Sequence, residues 1–309
     1  MQIITVTLNP AFDVHCTTER FLPYRENIFD VSARDAGGKG VNVSRALLSN
    51  GVESLAVCAV GRENGAEFLQ ALRSEGLTVA AVAVEGRIRE NITLHEKDNP
   101  ETRISFSGFS MNEAALAEVK AAMGELREGS VCVLAGSAPK GISEQSLVSF
   151  LEEIKAAGAR LVIDSRSLCA ASVAGLRPML IKPNKDEAEQ ALGVKIESRE
   201  EAVAAAEALR ERGSESVLLS LGGEGAILAC SSGVYFAAAP RVEVLSTVGA
   251  GDSSLAGYLS AAAEGLGNGE RLRRAVAFGS SACLLRGTAA PRPSDIAHLL
   301  EKTAVEKIR

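Results

Sequence analysis

Thr247-Val248-Gly249-Ala250-Gly251-Asp252-Ser253, followed by the apolar helical pattern Leu255-Ala256-Gly257-Tyr258-Leu259, is the stretch on which the fold turns. Small residues ahead of a helix leave its first amides uncovered. Those amides and the helix dipole both favour a bound anion, such as a phosphate oxygen. Asp252 falls on the first turn as a lone carboxylate. A carboxylate there suits the removal of a proton from a hydroxyl that attacks a phosphoryl group. The plainer alternative is a glycine turn with an acidic cap.

Working outward, helices are expected after it over about 251–264, 269–286 and 293–308, and strands before it over 233–237 and 242–245. A strand over 216–220 leads into Gly222-Gly223-Glu224-Gly225, which would either accept a nucleotide sugar or base or simply close a hairpin. Further upstream, the strand at 179–182 runs into Pro183-Asn184-Lys185-Asp186-Glu187. Asn184 and Glu187 share a helix face. They would hold a hydrated Mg²⁺ beside nucleotide phosphates or form a capping box, and spacing does not choose. Strands over 54–60, 130–134 and 160–163 alternate with helices over 66–75, 113–126, 143–157 and 199–212.

Ala36-Gly37-Gly38-Lys39-Gly40-Val41-Asn42 is the second glycine stretch, and helical spacing of Val43, Ala46 and Leu47 follows it. It permits close approach to a ligand, with Lys39 for charge and Asn42 for donor and acceptor groups. It is not a Walker A loop, which requires four residues between its first glycine and its Gly-Lys-Ser/Thr. At the N-terminus, the buried-strand pattern Ile3-Ile4-Thr5-Val6-Thr7-Leu8 ends at Asn9-Pro10, and Asp13 follows. An Asp just past a strand's carboxyl end is placed for a ligand, or for an Asx turn. Short strands at 14–17 and 28–32, and a pair at 87–96 and 102–107 joined across 97–100, suit a small half-exposed sheet. Arg87, Arg89 and Arg103 lie in that pair; such arginines bind a substrate phosphate or remain solvated at an edge.

The architecture expected is α/β, a mostly parallel central sheet with helices on both faces, in a single domain over residues 1–309. A discontinuous β flap from about 12–35 and 87–108 interrupts it. The formal charge of −6 in 309 residues, without a basic run, argues against a nucleic-acid partner. No apolar run reaches membrane length, and the chain opens directly on a strand, so a cytoplasmic location is expected. The six scattered cysteines have no metal-ligand spacing and read as buried thiols in a reducing compartment. Three histidines, none near a Gly-x-Ser-x-Gly motif, argue against a hydrolase triad, and the absence of Gly-x-Gly-x-x-Gly after the first strand argues against a Rossmann oxidoreductase.

The two glycine stretches together resemble the signature regions of the ribokinase-like (PfkB) carbohydrate kinases. Thr7-Leu8-Asn9-Pro10-Ala11-Phe12-Asp13 is similar to the opening of the branch holding 1-phosphofructokinases and tagatose-6-phosphate kinases. The resemblance implies ATP-dependent, Mg²⁺-requiring phosphorylation of a ketohexose phosphate. Fructose 1-phosphate is the first choice, and tagatose 6-phosphate or an unphosphorylated sugar or nucleoside are the alternatives. It implies Asp252 as base and the amides of Gly249, Ala250, Gly251 and Asp252 as an anion hole. Asp13, Gly38, Lys39 and Asn42 match sugar-binding positions, and Asn27 and Ser137 match the substrate end. Arg89, assisted by Arg103, matches a lid arginine that meets the substrate's own phosphate. Asn184 and Glu187 match the motif that supports Mg²⁺ through water. Lys182, Asn184, Ser220, Gly222, Gly225 and Thr247 match nucleotide contacts. A homodimer through the β lid is implied by the same analogy. Two departures from the branch pattern, Arg103-Ile104-Ser105-Phe106-Ser107-Gly108-Phe109 and Gly136-Ser137-Ala138-Pro139, lie at the substrate end.

Overall fold

The structure, a computed structural model, describes residues 1–97 and 101–309; part of the turn expected at 97–100 lies outside these. In chain order the first half comprises β1 (Ile3–Thr7), β2 (Ala11–Thr18), β3 (Asp30–Gly37), α1 (Lys39–Leu48), β4 (Leu55–Gly61), α2 (Gly65–Ser74), β5 (Thr78–Val84), β6 (Arg89–Glu96), β7 (Thr102–Ser105), α3 (Glu113–Ala122), β8 (Val131–Ala135) and α4 (Glu144–Ala156). The second half comprises β9 (Arg160–Asp164), α5 (Ala170–Leu176), β10 (Leu180–Ile181), α6 (Lys185–Leu192), α7 (Arg199–Glu211), β11 (Val217–Ser220), β12 (Ala226–Cys230), β13 (Gly233–Ala237), α8 (Ala250–Ala263), α9 (Asn268–Ala282), α10 (Pro293–Lys302) and β14 (Val305–Lys307).

The central sheet has 10 strands in the order β14-β13-β12-β11-β10-β9-β8-β1-β4-β5. From β11 to β5 every pairing is parallel; β12, β13 and β14 add on antiparallel. β1 is buried throughout, as a strand covered on both faces must be. Its alternation divides the layers. Ile4 and Val6 pack with Phe68 and Leu72 of α2, Leu116 of α3 and Phe150 of α4. Ile3 packs on the other face with Val43 and Leu47 of α1 and with Leu255, Tyr258 and Leu259 of α8. Each large apolar side chain so buried contributes about 1.5–3 kcal/mol. α8 is enclosed along its length, with every residue from Asp252 to Ala261 buried.

The small sheet runs β3-β2-β6-β7. Its register gives it two unlike faces. Asp13, Asn91 and Ser105 align across β2, β6 and β7, and Val14, Ile92 and Ile104 align one residue further along. Successive side chains alternate in direction, so one face is polar and the other apolar. Its strands come from two separate parts of the chain, Ala11–Thr18 with Asp30–Gly37 and Arg89–Glu96 with Thr102–Ser105.

Three expectations need correction. The segment 242–245 is not a strand, and Val244 and Leu245 are about half exposed. The chain beyond 302 is not helix: α10 stops at Lys302, Thr303 Oγ1 donates back to Leu299 O at 2.8 Å, and β14 pairs Val305 with Ala237 and Lys307 with Tyr235. The third strand was expected at 28–32 but spans Asp30–Gly37, carrying the sheet directly into the glycine turn. Strand β5 and helix α5 were not foreseen; β5 is rich in alanine and half exposed, so its alternation is faint. Cys16, Cys58, Cys132 and Cys230 are buried free thiols, as expected, but Cys283 is only partly buried and Cys169 is exposed.

Candidate active site

Two helices start side by side. Gly38 precedes α1 with φ of 131°, and a Cβ there would lie 2.8 Å from Thr7 Cγ2, so glycine is required on both counts. Gly249 caps α8 in the left-handed conformation, with φ of 74°, and its carbonyl accepts from Ser253 N at 2.8 Å. The cap uses the carbonyl and leaves the first amides of the helix without intrahelical partners, as any helix start does.

Asp252 sits on that first turn, 6% exposed, and its Oδ2 accepts from Asn42 Nδ2 at 2.8 Å. Asn42 is one turn into α1, so this bond joins the two glycine motifs. Burial, then the nearby Asp164 charge, raises the Asp252 carboxyl to about 6, while the Asn42 hydrogen bond and the Lys39 and Lys182 charges hold it down. Asp164, at the carboxyl end of β9, takes Lys39 Nζ on Oδ1 at 2.8 Å and lies 3.2 Å from Lys182 Nζ through Oδ2. Burial works to raise the Asp164 carboxyl, but its two lysines outweigh it and bring it below its usual value. The same balance holds for Lys39: burial lowers it, and Asp164 more than restores it, leaving it above the usual lysine value. A Cβ on Gly251 would lie 3.2 Å from Lys182 Nζ, so that lysine reaches the start of α8.

A second cluster lies under the polar face of the small sheet. Asp13 Oδ1 accepts from Asn91 Nδ2 at 3.0 Å, and a Cβ added to Gly37 would lie 2.6 Å from Asp13 Oδ2 and 3.7 Å from Asn42 Oδ1. This places Asp13 next to the base cluster. Burial raises the Asp13 carboxyl; the Asn91 hydrogen bond and the His15 and Arg89 charges oppose it. Arg89 donates to Phe106 O at 3.0 Å and to Asn9 O at 3.4 Å, and Asn9 Nδ2 donates to Ser137 Oγ at 3.3 Å. Arg89 Nε, Asn9 Oδ1 and Asn91 Oδ1 are buried without a hydrogen-bond partner among the described residues. Buried polar atoms of this kind are costly unless a ligand meets them.

On the other side of Lys182, Ser220 bridges to Asn184, and Gly222–Glu224 forms one 3₁₀ turn before Gly225 and β12. The antiparallel pairing of β11 with β12 makes this segment a hairpin. Thr247 O accepts from Ala250 N at 3.3 Å at the head of α8. Asn184 and Glu187 form the full capping box of α6, with bonds of 2.8 and 3.0 Å. Glu187 Oε1 also accepts from Arg166 at 2.7 Å. A cavity of about 680 Å³ lies against Asp164, Lys182 and Glu187. Among the described residues no group of three or more His, Cys, Asp or Glu is arranged to hold a metal directly.

Two expected residues stand apart from these clusters. Arg103 pairs with Glu101 at 3.0 Å and is half exposed. Asn27 spends its amide inside its own loop, bonding Leu22 N, Leu22 O and Arg25 O at 2.8 Å each. Conversely, Asp164, Arg45, Asn9 and Asn91 belong to the site and were not singled out from sequence. Asp164 carried the same signal as Asp13, an acid at a strand's carboxyl end. Among the described residues, no helix is long and apolar enough to cross a membrane.

The model of the pfkB family carbohydrate kinases matches residues 11–295. A 1-phosphofructokinase from Bacillus subtilis is 36% identical over 279 residues, 90% of this chain and 91% of that protein. One from Escherichia coli K12 is 34% identical over 261 residues, 84% and 83% of the two chains. Among solved structures, phosphofructokinase-2 from Escherichia coli in complex with substrates and products superposes with a TM-score of 0.91 at 27% identity, covering 98% of this chain and 99% of that one. With a family model covering most of its length and relatives above 30% identity, this chain belongs to the pfkB family of carbohydrate kinases.

Proposed function

We propose that the chain transfers the γ-phosphoryl group of ATP to the primary 6-hydroxyl of fructose 1-phosphate, giving fructose 1,6-bisphosphate. The 1-phosphofructokinase relatives support the substrate. The observation that carries the chemistry is the bond of Asn42 to Asp252, which seats a buried carboxylate at the mouth of α8. Asp252 accepts the proton as the sugar oxygen attacks phosphorus in line. The amides of Gly249, Gly251 and Asp252 face the charge that builds on the transferring group, and the bond from Ala250 N to Thr247 O at 3.3 Å shapes the turn that presents them. Lys182, Ser220, Gly222, Gly225 and Thr247 line the nucleotide side. Gly38, Lys39, Asn42 and Asp13 bind the sugar, and Arg89 with Ser137 meets its 1-phosphate. The unpartnered Arg89 Nε supports that assignment.

Mg²⁺, when bound with ATP, neutralises phosphate charge. Asn184 and Glu187 offer hard oxygen donors, but their capping bonds are already made, so they suit contact through water. The single-domain organisation, with the small sheet as a lid that excludes water, is part of the same reading. So is pairing through the lid's apolar face, where Val31 is 63% and Ile104 39% exposed. A solved form of phosphofructokinase-2 is tetrameric.

The test is turnover of fructose 1-phosphate, tagatose 6-phosphate and free fructose by the purified protein, with and without Mg²⁺, alongside Asp252→Asn. Fructose 1-phosphate should give the highest kcat/KM, and Asp252→Asn should lose about 10²–10⁴-fold in kcat. A near-normal rate in that variant rules out the base.

A further inference from the structure

Arg45 lies on α1, one turn beyond Asn42, and is only 9% exposed. A buried guanidinium is costly unless its donors are met. Here they are met with specific partners. Nε and Nη2 donate to the two carboxylate oxygens of Glu75 at 2.5 and 3.0 Å. Nη2 also donates to Ala36 O at 2.6 Å, at the last turn of backbone before Gly37 and Gly38. Nη1 donates to Asn42 Oδ1 at 2.9 Å.

The last contact has a consequence for Asp252. Arginine has donors and no acceptor, so only the oxygen of the Asn42 amide can face it. The NH₂ must then face the other way, and there it donates to Asp252 Oδ2 at 2.8 Å. Without that constraint the two ends of the amide are nearly the same shape, and rotation by half a turn would set its oxygen against a carboxylate.

We propose that Arg45, anchored by Glu75, is a positioning residue for phosphoryl transfer: it locks the Asn42 amide so that its NH₂ holds and keeps ionised the Asp252 carboxylate. This rests on the reading of Asp252 as the base. The relay runs Glu75, Arg45, Asn42, Asp252, and spans α2, α1 and α8. The other charged groups that act on Asp252 are Asp164, Lys39 and Lys182. None of them contacts Arg45 among the described bonds, so the relay and these charges are separable.

The experiment is the pH profile of kcat from pH 5 to 9 for wild type, Arg45→Met, Asn42→Ala and the double variant, with KM for ATP. Arg45→Met should lower kcat about tenfold and move the acid limb upward by about half a unit to one unit, because an unlocked amide favours the ionised carboxylate less. KM for ATP should stay within about twofold. The double variant should match Asn42→Ala alone, since Arg45 acts only through Asn42. A folded Arg45→Met protein with the wild-type acid limb overturns the proposal, as do losses that multiply in the double variant. If Arg45→Met does not fold, Glu75→Gln, which loosens the anchor and leaves Arg45 in place, should move the limb the same way by less; an unmoved limb overturns it. Asp252→Asn separates the two readings. Full activity there removes the base and the relay together, whereas an inactive Asp252→Asn beside an unshifted Arg45→Met removes the relay alone.

Discussion

Lys39 and Asp164 are 125 positions apart in the chain and meet at 2.8 Å. Lys182 approaches the second oxygen of the same carboxylate at 3.2 Å. One buried acid therefore holds a lysine from α1 and a lysine just past β10 at a fixed spacing. After burial itself, its charge is the largest influence raising the Asp252 carboxyl.

Asp164→Asn would leave Lys182, 5% exposed, without its counter-charge. The expected cost is about 3–5 kcal/mol of stability, read by denaturant unfolding at pH 7.5. The carboxyl is held below its ordinary 3.8, so the stability it contributes is present at neutral pH and is lost only as pH falls below that value. Loss of the Asp164 charge should also lower the acid limb of the kcat profile, because that charge raises Asp252. An acid limb that moves upward would contradict this account of the site's electrostatics.

The wild-type kcat should fall as pH drops through about 6, where Asp252 takes up its proton. Stability runs the opposite way. The folded value lies above the ordinary 3.8, so the favourable contribution is complete below 3.8 and is lost as pH rises through about 6. Asp252→Asn should consequently stabilise the fold by roughly 1–3 kcal/mol at pH 7.5 and hardly at all at pH 4. Equal stabilisation at both pH values would show that the group is not raised.

Arg89→Ala should raise KM for the sugar phosphate by about 10–100-fold and leave KM for ATP unchanged, because charged hydrogen bonds of this kind contribute about 1.5–3 kcal/mol. Isothermal titration with each substrate separately checks the split. Equal loss for both would place Arg89 in the fold rather than in substrate recognition.

Gly249→Ala has open space around it, since the nearest atom to an added Cβ is Thr288 Cα at 3.8 Å. The penalty is the left-handed backbone, about 1–2 kcal/mol. A small drop in thermal midpoint with a much larger drop in kcat is expected, because the strain is centred on the first turn of α8, where the proposed phosphoryl-binding amides lie. Equal fractional loss of both would argue for a purely structural glycine.

The linear chain by itself determined the layered α/β architecture, the glycine turns and the acid on α8. These are local properties: hydrophobic period, φ > 0 at Gly38 and Gly249, a helix start without side chains. Tertiary structure alone decided the rest. Residues 303–308 carry a pattern that helix and strand both satisfy, and the free edge of β13 settled it. Asn184 and Glu187 could be read two ways, and the capping box is formed. Arg103 and Asn27 were expected at the substrate end, and the fold gives an Arg103 nitrogen to Glu101 and the Asn27 amide to its own loop. Arg45 carried no signal in the sequence, and Asp164 only the faint one of an acid at a strand's end, because their partners, Glu75 past α2, Ala36 and Asn42 for the one and Lys39 and Lys182 for the other, are gathered by the fold. Buried charges take their meaning from what surrounds them in space, and sequence order does not record that.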